Sequence, residues 1–417
     1  MAGPGPGPAQ VRPPAAPNPS DVNRRTFLKA AALAGVALRA PSRAGIAAPS
    51  CDPAAPFGPA AWTRARGQGP LKTKTPQSNL PVRPIVAKDL SDWKSERAKY
   101  LAAFREMIGP WPGPRPALSP VEFERHEDPA FTRIKVGYQT LSGDPFASTI
   151  KAWLFIPKGY STPRPAIVTL HQTVLQGKDE PAGVNATLPW YAFADYYARR
   201  GYVTLAPDAI GYGERTKGCN AEQGFELADA WSILQPRPAM TLLGLMLYDV
   251  TRAVDYLQQR PEVDPRRIGV MGHSQGGILT NMVLGLEPRF SVGVASCGYG
   301  LFRTDAYFPD RWAGKQSAYL PRMHFYKVNR DALPFDLHQI MALAAPAAHL
   351  VQTAMLDTIW TPTAVALDPF VARELRRVHG FYGRKKDFVS IEENGDHGWY
   401  PDAQTASDAL FARMLQP

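Results

Sequence analysis

Cysteine is scarce in this sequence: Cys51, Cys219 and Cys297 are the only three in 417 residues, far apart and never in C-x-x-C spacing. That excludes a Cys-rich zinc module and a small disulfide scaffold. A single disulfide from two of the three, or three thiols, both stay open. Runs of 18 or more apolar residues are also missing, which excludes a membrane-spanning helix in the body of the chain. No self-similarity of solenoid period is present. Charge is unevenly placed. Of a formal net charge of +10, five units come from residues 1–48, where Arg12, Arg24, Arg25, Lys29, Arg39 and Arg43 face one acid, Asp21. The remainder shows no basic cluster interleaved with aromatics, so nucleic acid is not an expected partner. With 45% hydrophobic and 20% charged residues the chain has ordinary globular composition, enough for one large domain or two modest ones.

The first 20 residues are Pro/Gly/Ala low complexity, which cannot bury enough apolar surface to fold. Asn23-Arg24-Arg25-Thr26-Phe27-Leu28-Lys29 and the apolar run Ala30 to Leu38 follow; together they resemble a twin-arginine export signal. That run is too short to span a bilayer, so a cleaved leader is expected over residues 1–48, with small residues at Ile46-Ala47-Ala48 to receive the cut. A lipid anchor on Cys51 fits less well, because Ala48-Pro49-Ser50 lacks the usual leucine. The expectation is a periplasmic or secreted protein without a stable membrane anchor. Residues 49–120 read as a Pro-rich extension with one helix, Ser91 to Met107, whose Trp93, Ala98, Leu101 and Phe104 share a face.

From residue 121 the pattern changes. Phe131 to Tyr138 and Ala152 to Ile156 alternate as an antiparallel pair around Ser142-Gly143-Asp144. Ala166 to Leu170, Tyr202 to Ala206, Ile268 to Met271, Ser291 to Ser296, His349 to Thr353 and Phe388 to Ile391 are apolar runs suited to strands covered on both faces. Helix-length segments separate them: Trp190–Arg199, Leu242–Gln259, the stretch from Gln275, Pro369–Val378 and Asp402–Met414. The implied fold is α/β, a mostly parallel sheet with helices on both faces. An irregular insertion, 298–337, carries Tyr299, Phe302, Tyr307, Phe308, Trp312, Tyr319, Phe325 and Tyr326, a lid or substrate wall of which about half would be core.

Between the strand at Ile268–Met271 and the next helix stands Gly272-His273-Ser274-Gln275-Gly276, a G-x-S-x-G turn in strand-turn-helix context. So tight a turn strains the serine backbone and leaves no room for side chains at Gly272 and Gly276. It lifts the Ser274 hydroxyl to the sheet edge and sets the Gln275 amide at a helix N-terminus, where an oxyanion would be received. A serine hydroxyl is a weak nucleophile without a base, and the base needs an orienting acid. Both should follow later strands. Asp357, after the strand near Leu350, is the expected acid, the rival reading being a cap for a helix near Pro362. His397, in Asn394-Gly395-Asp396-His397-Gly398, is the expected base. His379 reads as solvated on a basic helix face, His324 and His338 belong to the insertion, and Asp396 should support its loop. The second oxyanion donor is expected from the Thr173 amide after Ala166–Leu170, with the Gln172 side chain as supplement. Gly211-x-Gly213 lacks the third glycine of a dinucleotide loop, Thr216 standing there, and reads as a structural turn.

These residues resemble the serine α/β-hydrolase superfamily, and within it the dienelactone-hydrolase-like and acetyl xylan esterase-like branch. The resemblance covers residues 121–417. It rests on Leu170-His171-Gln172-Thr173, Gly177-Lys178-Asp179-Glu180-Pro181, Ala206-Pro207-Asp208, Gly211-Tyr212-Gly213-Glu214, Gly272 to Gly277, Pro334-Phe335-Asp336-Leu337-His338, Asp357 and Gly395-Asp396-His397. Dienelactone hydrolases use cysteine as nucleophile, and many relatives carry His-Gly where His171-Gln172 stands. The resemblance implies a ping-pong ester hydrolysis through Ser274, His397 and Asp357, with Gln275 and Thr173 as oxyanion donors, on a small-molecule or carbohydrate ester. No metal or organic cofactor is required. The competing readings are a prolyl-peptidase-type serine peptidase, an acyltransferase, and a non-catalytic binding protein on the same fold; the oligomeric state is not legible.

Overall fold

The computed structural model describes residues 82–141, 148–185, 188–215, 239–313, 319–360, 365 and 368–417. All of these fall in one compact unit, 49–417. The expected leader, the first part of the extension, the Ser142-Gly143-Asp144 turn, Thr216, Cys51 and Cys219 lie outside the described residues.

Among the described residues nine strands form one sheet. In chain order they are β1 (Val121–Glu127), β2 (Phe131–Gln139), β3 (Thr149–Pro157), β4 (Arg164–Leu170), β5 (Val203–Pro207), β6 (Val263–His273), β7 (Phe290–Ser296), β8 (Ala348–Ala354) and β9 (Phe388–Glu393). Their spatial order is β1-β2-β3-β5-β4-β6-β7-β8-β9. The pairs β1–β2, β2–β3 and β3–β5 are antiparallel, and every pair from β5 to β9 is parallel. The interior strands β4 to β8 are almost wholly buried apart from residues 264–267 at the start of β6, which is why the buried stretches are continuous apolar runs without alternation. Strand β1, VEFERHE, is exposed at all seven positions and pairs on one side only. It has no apolar face to read, and sequence patterning misses it; its charges suit an edge that must not recruit another strand.

The helices are α1 (Leu90–Ile108), α2 (Phe193–Ala198), α3 (Leu242–Gln258), α4 (Gln275–Val283), α5 (Asp310–Ala313), α6 (Leu337–Met341), α7 (Asp368–Phe381) and α8 (Pro401–Leu415). Two apolar layers cover the sheet. One holds α1, α3, α4 and the insertion; the other joins Tyr197, Tyr202, Met271, Val292, Leu410 and Phe411 from α2, α8 and the strands. Helix α3 is buried nearly all round, and the Thr241 hydroxyl caps it by accepting from Gly244 N at 3.0 Å. The same hydroxyl donates to Ile108 O at 2.7 Å and so fastens the end of α1.

Two expectations need correction. On α1 the buried face is Trp93, Phe104, Met107 and Ile108, and Ala98 is exposed. His379 is not solvated: it is buried, its ring nitrogens bonded to Leu375 O and Ala347 O at 3.0 and 3.1 Å. In the insertion about half of the aromatics are core, as expected. Tyr299, Phe302, Phe308, Trp312 and Tyr326 are buried, Tyr319 and Phe325 half-buried, and only Tyr307 of the eight is exposed. Aromatics fill the insertion because they pack on one another, as Phe302 does on Trp312 edge-to-face at 5.1 Å.

Candidate active site

The chain order of the sheet reverses at β4, which sends its crossovers to β5 on one side and β6 on the other. Crevices beyond the carboxyl ends of such strands are where open α/β sheets bind ligands. Two segments meet there, the turn after β6 and the loop after β4.

Ser274 sits in that turn with φ +53° and ψ −116°, a conformation L-residues rarely hold. Its amide donates to Ser296 O at 2.8 Å, and its carbonyl accepts from Ile278 N at 2.9 Å. The expected crowding is present. A Cβ on Gly272 would lie 2.4 Å from the Gly276 carbonyl carbon, and one on Gly276 would lie 2.2 Å from Leu170 O. The same contact presses the start of α4 against the end of β4, bringing Gln275 beside the loop that carries Thr173.

That loop is held from several sides. His171 Nε2 accepts from Ala209 N at 3.0 Å, so its proton is on Nδ1, which donates to Gln172 O at 2.6 Å. Burial pushes this imidazole down to about 4, keeping it neutral and the tautomer fixed. The Gln172 carbonyl and the Thr173 N–H belong to one planar peptide, so His171 also sets where the Thr173 amide points. Further along, buried Lys178 pairs with Asp208 at 2.9 Å and Glu214 at 2.8 Å. Asp208 also accepts from the amides of Lys178 and Glu214. Gly177 and Gly213, both at positive φ, close on it: a Cβ at either would come within 2.2 Å of Asp208 Oδ1. The Gly177-Lys178-Asp179 and Asp208 to Glu214 segments are thus one cluster tying the loops after β4 and β5 together.

On the other side of Ser274, His397 Nδ1 lies 2.6 Å from Asp357 Oδ2. Asp357 is buried, and its other oxygen accepts from Ile359 N at 2.8 Å and Trp360 N at 3.0 Å. It therefore ties its own turn together and holds the imidazole; the helix near Pro362 of the rival reading lies outside the described residues. Asp396 supports the loop as expected, accepting from the Thr358 amide and hydroxyl and from His397 N. His324 and His338 stay with the insertion and α6; His338 is bonded to Arg83 O. The His397 ring lies 4.7 Å from that of His273, the residue before Ser274. His397 Nε2 is buried without a hydrogen-bond partner among the described residues, so the serine–imidazole bond is not closed here. Such bonds commonly tighten only when substrate is bound.

Cys297 is the residue that sequence reasoning left out of the site, with thiol and disulfide both open. It is a free, buried thiol, not a half-cystine, at the end of β7 with φ +46°. Its sulfur and donor atoms of Asp357 and His397 lie within 4.8 Å of one another. Trp360 Nε1 donates to its carbonyl at 2.8 Å, tying the Asp357 turn to β7. Burial alone would lower the His397 pKa, but the Asp357 carboxylate and the Cys297 sulfur outweigh it and raise it to about 9. His273 is driven the other way, well below its ordinary value, by burial and by the neighbouring His397. Its Nδ1 contacts Ser296 Oγ at 2.8 Å, and its ring stacks on Tyr191 at 4.8 Å. Glu180, in one of the segments that carry the resemblance, is a second residue to which sequence reasoning gave no role. It is buried and accepts from Gln172 Nε2 at 2.7 Å. Together the site offers a strained, half-buried serine and a carboxylate-oriented imidazole, a set suited to acyl transfer.

Comparison with known proteins points the same way. The profile of the family described as Acetyl xylan esterase (AXE1) matches residues 115–300, and that of the Prolyl oligopeptidase family matches 245–366. The chain is 30% identical over 308 residues to a Bacillus subtilis (strain 168) protein named "Putative hydrolase YtaP", covering 73% of this chain and 94% of that one. It is 25% identical over 200 residues to the 4-O-methyl-glucuronoyl methylesterase of Schizophyllum commune (strain H4-8 / FGSC 9210), over 43% of this chain and 50% of that one. Among solved structures, a glucuronoyl esterase from Solibacter usitatus superposes with TM-score 0.65 at 17% identity, over 82% of this chain and all of that one.

Proposed function

Because the chain belongs to the serine α/β-hydrolases, in their acetyl xylan esterase-like branch, we propose that it is an exported carboxylic ester hydrolase acting on carbohydrate esters through an acyl-enzyme. The observation that carries this reading is the Asp357–His397 bond beside the strained Ser274 elbow. In the proposed reaction Ser274 Oγ attacks the acyl carbonyl while His397 Nε2 takes its proton. The Gln275 and Thr173 amides receive the oxyanion. His397 then protonates the leaving alkoxide, and a water enters by the reverse route to release the acid. Asp357 holds Nδ1–H and stabilises the imidazolium. The carbohydrate substrate is supported by the names of the relatives and by Trp190. This side chain is exposed, and its ring leads through Tyr191 and His273 to His397. Export is supported by the arginine pair in the leader; among the described residues no helix is long and apolar enough to cross a membrane.

The test is hydrolysis of p-nitrophenyl acetate, butyrate and octanoate and of acetylated xylan by wild type and Ser274→Ala. Short-ester turnover that falls by about 10³-fold or more in Ser274→Ala is expected. Turnover untouched by the substitution would refute the mechanism. The prolyl oligopeptidase match favours a second reading as a peptidase, and a prolyl p-nitroanilide in the same panel separates the two.

A further inference from the structure

Glu180 is a buried carboxylate that the proposed reaction does not use. It is 2% exposed, and among the described residues no salt bridge reaches it. Nearby Lys178 turns its ammonium instead to Asp208 and Glu214. What Glu180 does hold is Gln172: the side-chain amide donates to its Oε1 at 2.7 Å, and the Gln172 backbone also favours the charged carboxylate. Burial pushes this carboxyl up to about 7, the two Gln172 contacts opposing the rise. Leaving a carboxylate buried without a cation costs stability. A position whose only task was packing would be better filled by an apolar side chain.

Gln172 is the residue whose carbonyl shares a peptide plane with the Thr173 amide. His171 grips that plane by the carbonyl, but one hydrogen bond leaves it free to rock about the bond axis. Fixing Gln172 at its side chain as well limits this freedom. Donors aimed before the charge develops are worth most in catalysis, since no reorganisation is needed as the oxyanion forms.

We propose that Glu180 is a positioning residue for ester hydrolysis, bracing Gln172 so that the Thr173 amide stays aimed at the oxyanion. This rests on the esterase reading and on Thr173 as a donor. The experiment is a double-mutant cycle of Glu180→Ala and Gln172→Ala, with p-nitrophenyl acetate as substrate and thermal unfolding of each variant. Losing an aimed donor outright costs about 10²–10³-fold in kcat, so a loosened one is expected to cost about 10- to 100-fold, with KM within about twofold. Once Gln172 is alanine, Glu180→Ala should cost little more, since both act through one bond. Glu180→Gln keeps an acceptor oxygen and should recover most of the loss; it also carries the test if the alanine variant does not fold. Full kcat in Glu180→Ala, losses that multiply across the cycle, or a change confined to KM would each overturn the proposal. A wild type without Ser274-dependent turnover would overturn the esterase reading together with it.

Discussion

At the scale of single residues, the chemistry depends on how His397 is charged. Its pKa is raised to about 9, because Asp357 and Cys297 favour the imidazolium more strongly than burial opposes it. Only neutral imidazole can take the Ser274 proton. The expected kcat/KM therefore rises with pH and levels off only above about 9, the base form growing as pH passes the pKa. Cys297→Ala removes one of the two groups that favour the cation, so its midpoint should move down toward the ordinary histidine range. A pH–rate profile of both proteins checks this; an unmoved midpoint would mean that the thiol has no part in tuning the base. Asp357 and His397 are legible in sequence because each follows a strand in the order the elbow demands. Cys297 is not, since its approach to His397 depends on a positive φ at the end of β7. For Glu180 the resemblance marks the segment but not the role, because its burial and its bond to Gln172 come only with the packed structure.

At the scale of elements, the elbow is a close approach of α4 to β4. Gly276→Ala puts a methyl group 2.2 Å from Leu170 O and 3.0 Å from His171 O, backbone atoms that cannot rotate away. A loss of about 1–3 kcal/mol by denaturant unfolding is expected. Activity should fall by more than that destabilisation explains, because the displaced strand end carries the Thr173 loop. The same substitution at Gly380, near the end of α7 with nothing within 4 Å of the added carbon, should instead stabilise by up to about 1 kcal/mol. Equal stability changes at the two positions would remove the packing argument. Elements with one apolar face or none exposed are the legible ones. The interior strands are recoverable within a few residues, whereas β1 is missed and which half of the insertion's aromatics is core is not legible. In both cases composition and burial part company: β1 is an exposed strand of mixed charge, and the insertion buries its rings against one another.

At the scale of the whole molecule, the segment ahead of the sheet is not an ornament on it. Residues 82–87 run along α7, where Ile85 N donates to Glu374 Oε2 at 2.9 Å and Arg377 donates to the carbonyls of Ile85 and Ala87. Helix α1 then enters the same apolar cluster as α3 and the insertion, with Trp93, Phe104 and Met107 wholly buried and Ile108 nearly so. At about 1.5–3 kcal/mol for each such side chain, those four contribute on the order of 6–12 kcal/mol. That matches the entire net stability of an ordinary domain. The junction at α3 is also shaped for it, since Gly244 has no side chain where Ile108 O comes closest. A chain that starts at residue 109, lacking α1 and the 82–87 segment, should therefore not fold, whereas one that starts at residue 82 keeps every contact named here. Circular dichroism and thermal unfolding of the two truncations decide it. A cooperative transition in the shorter chain at the temperature of the longer one would make α1 an appendage and leave the hydrolase fold complete from β1 onward.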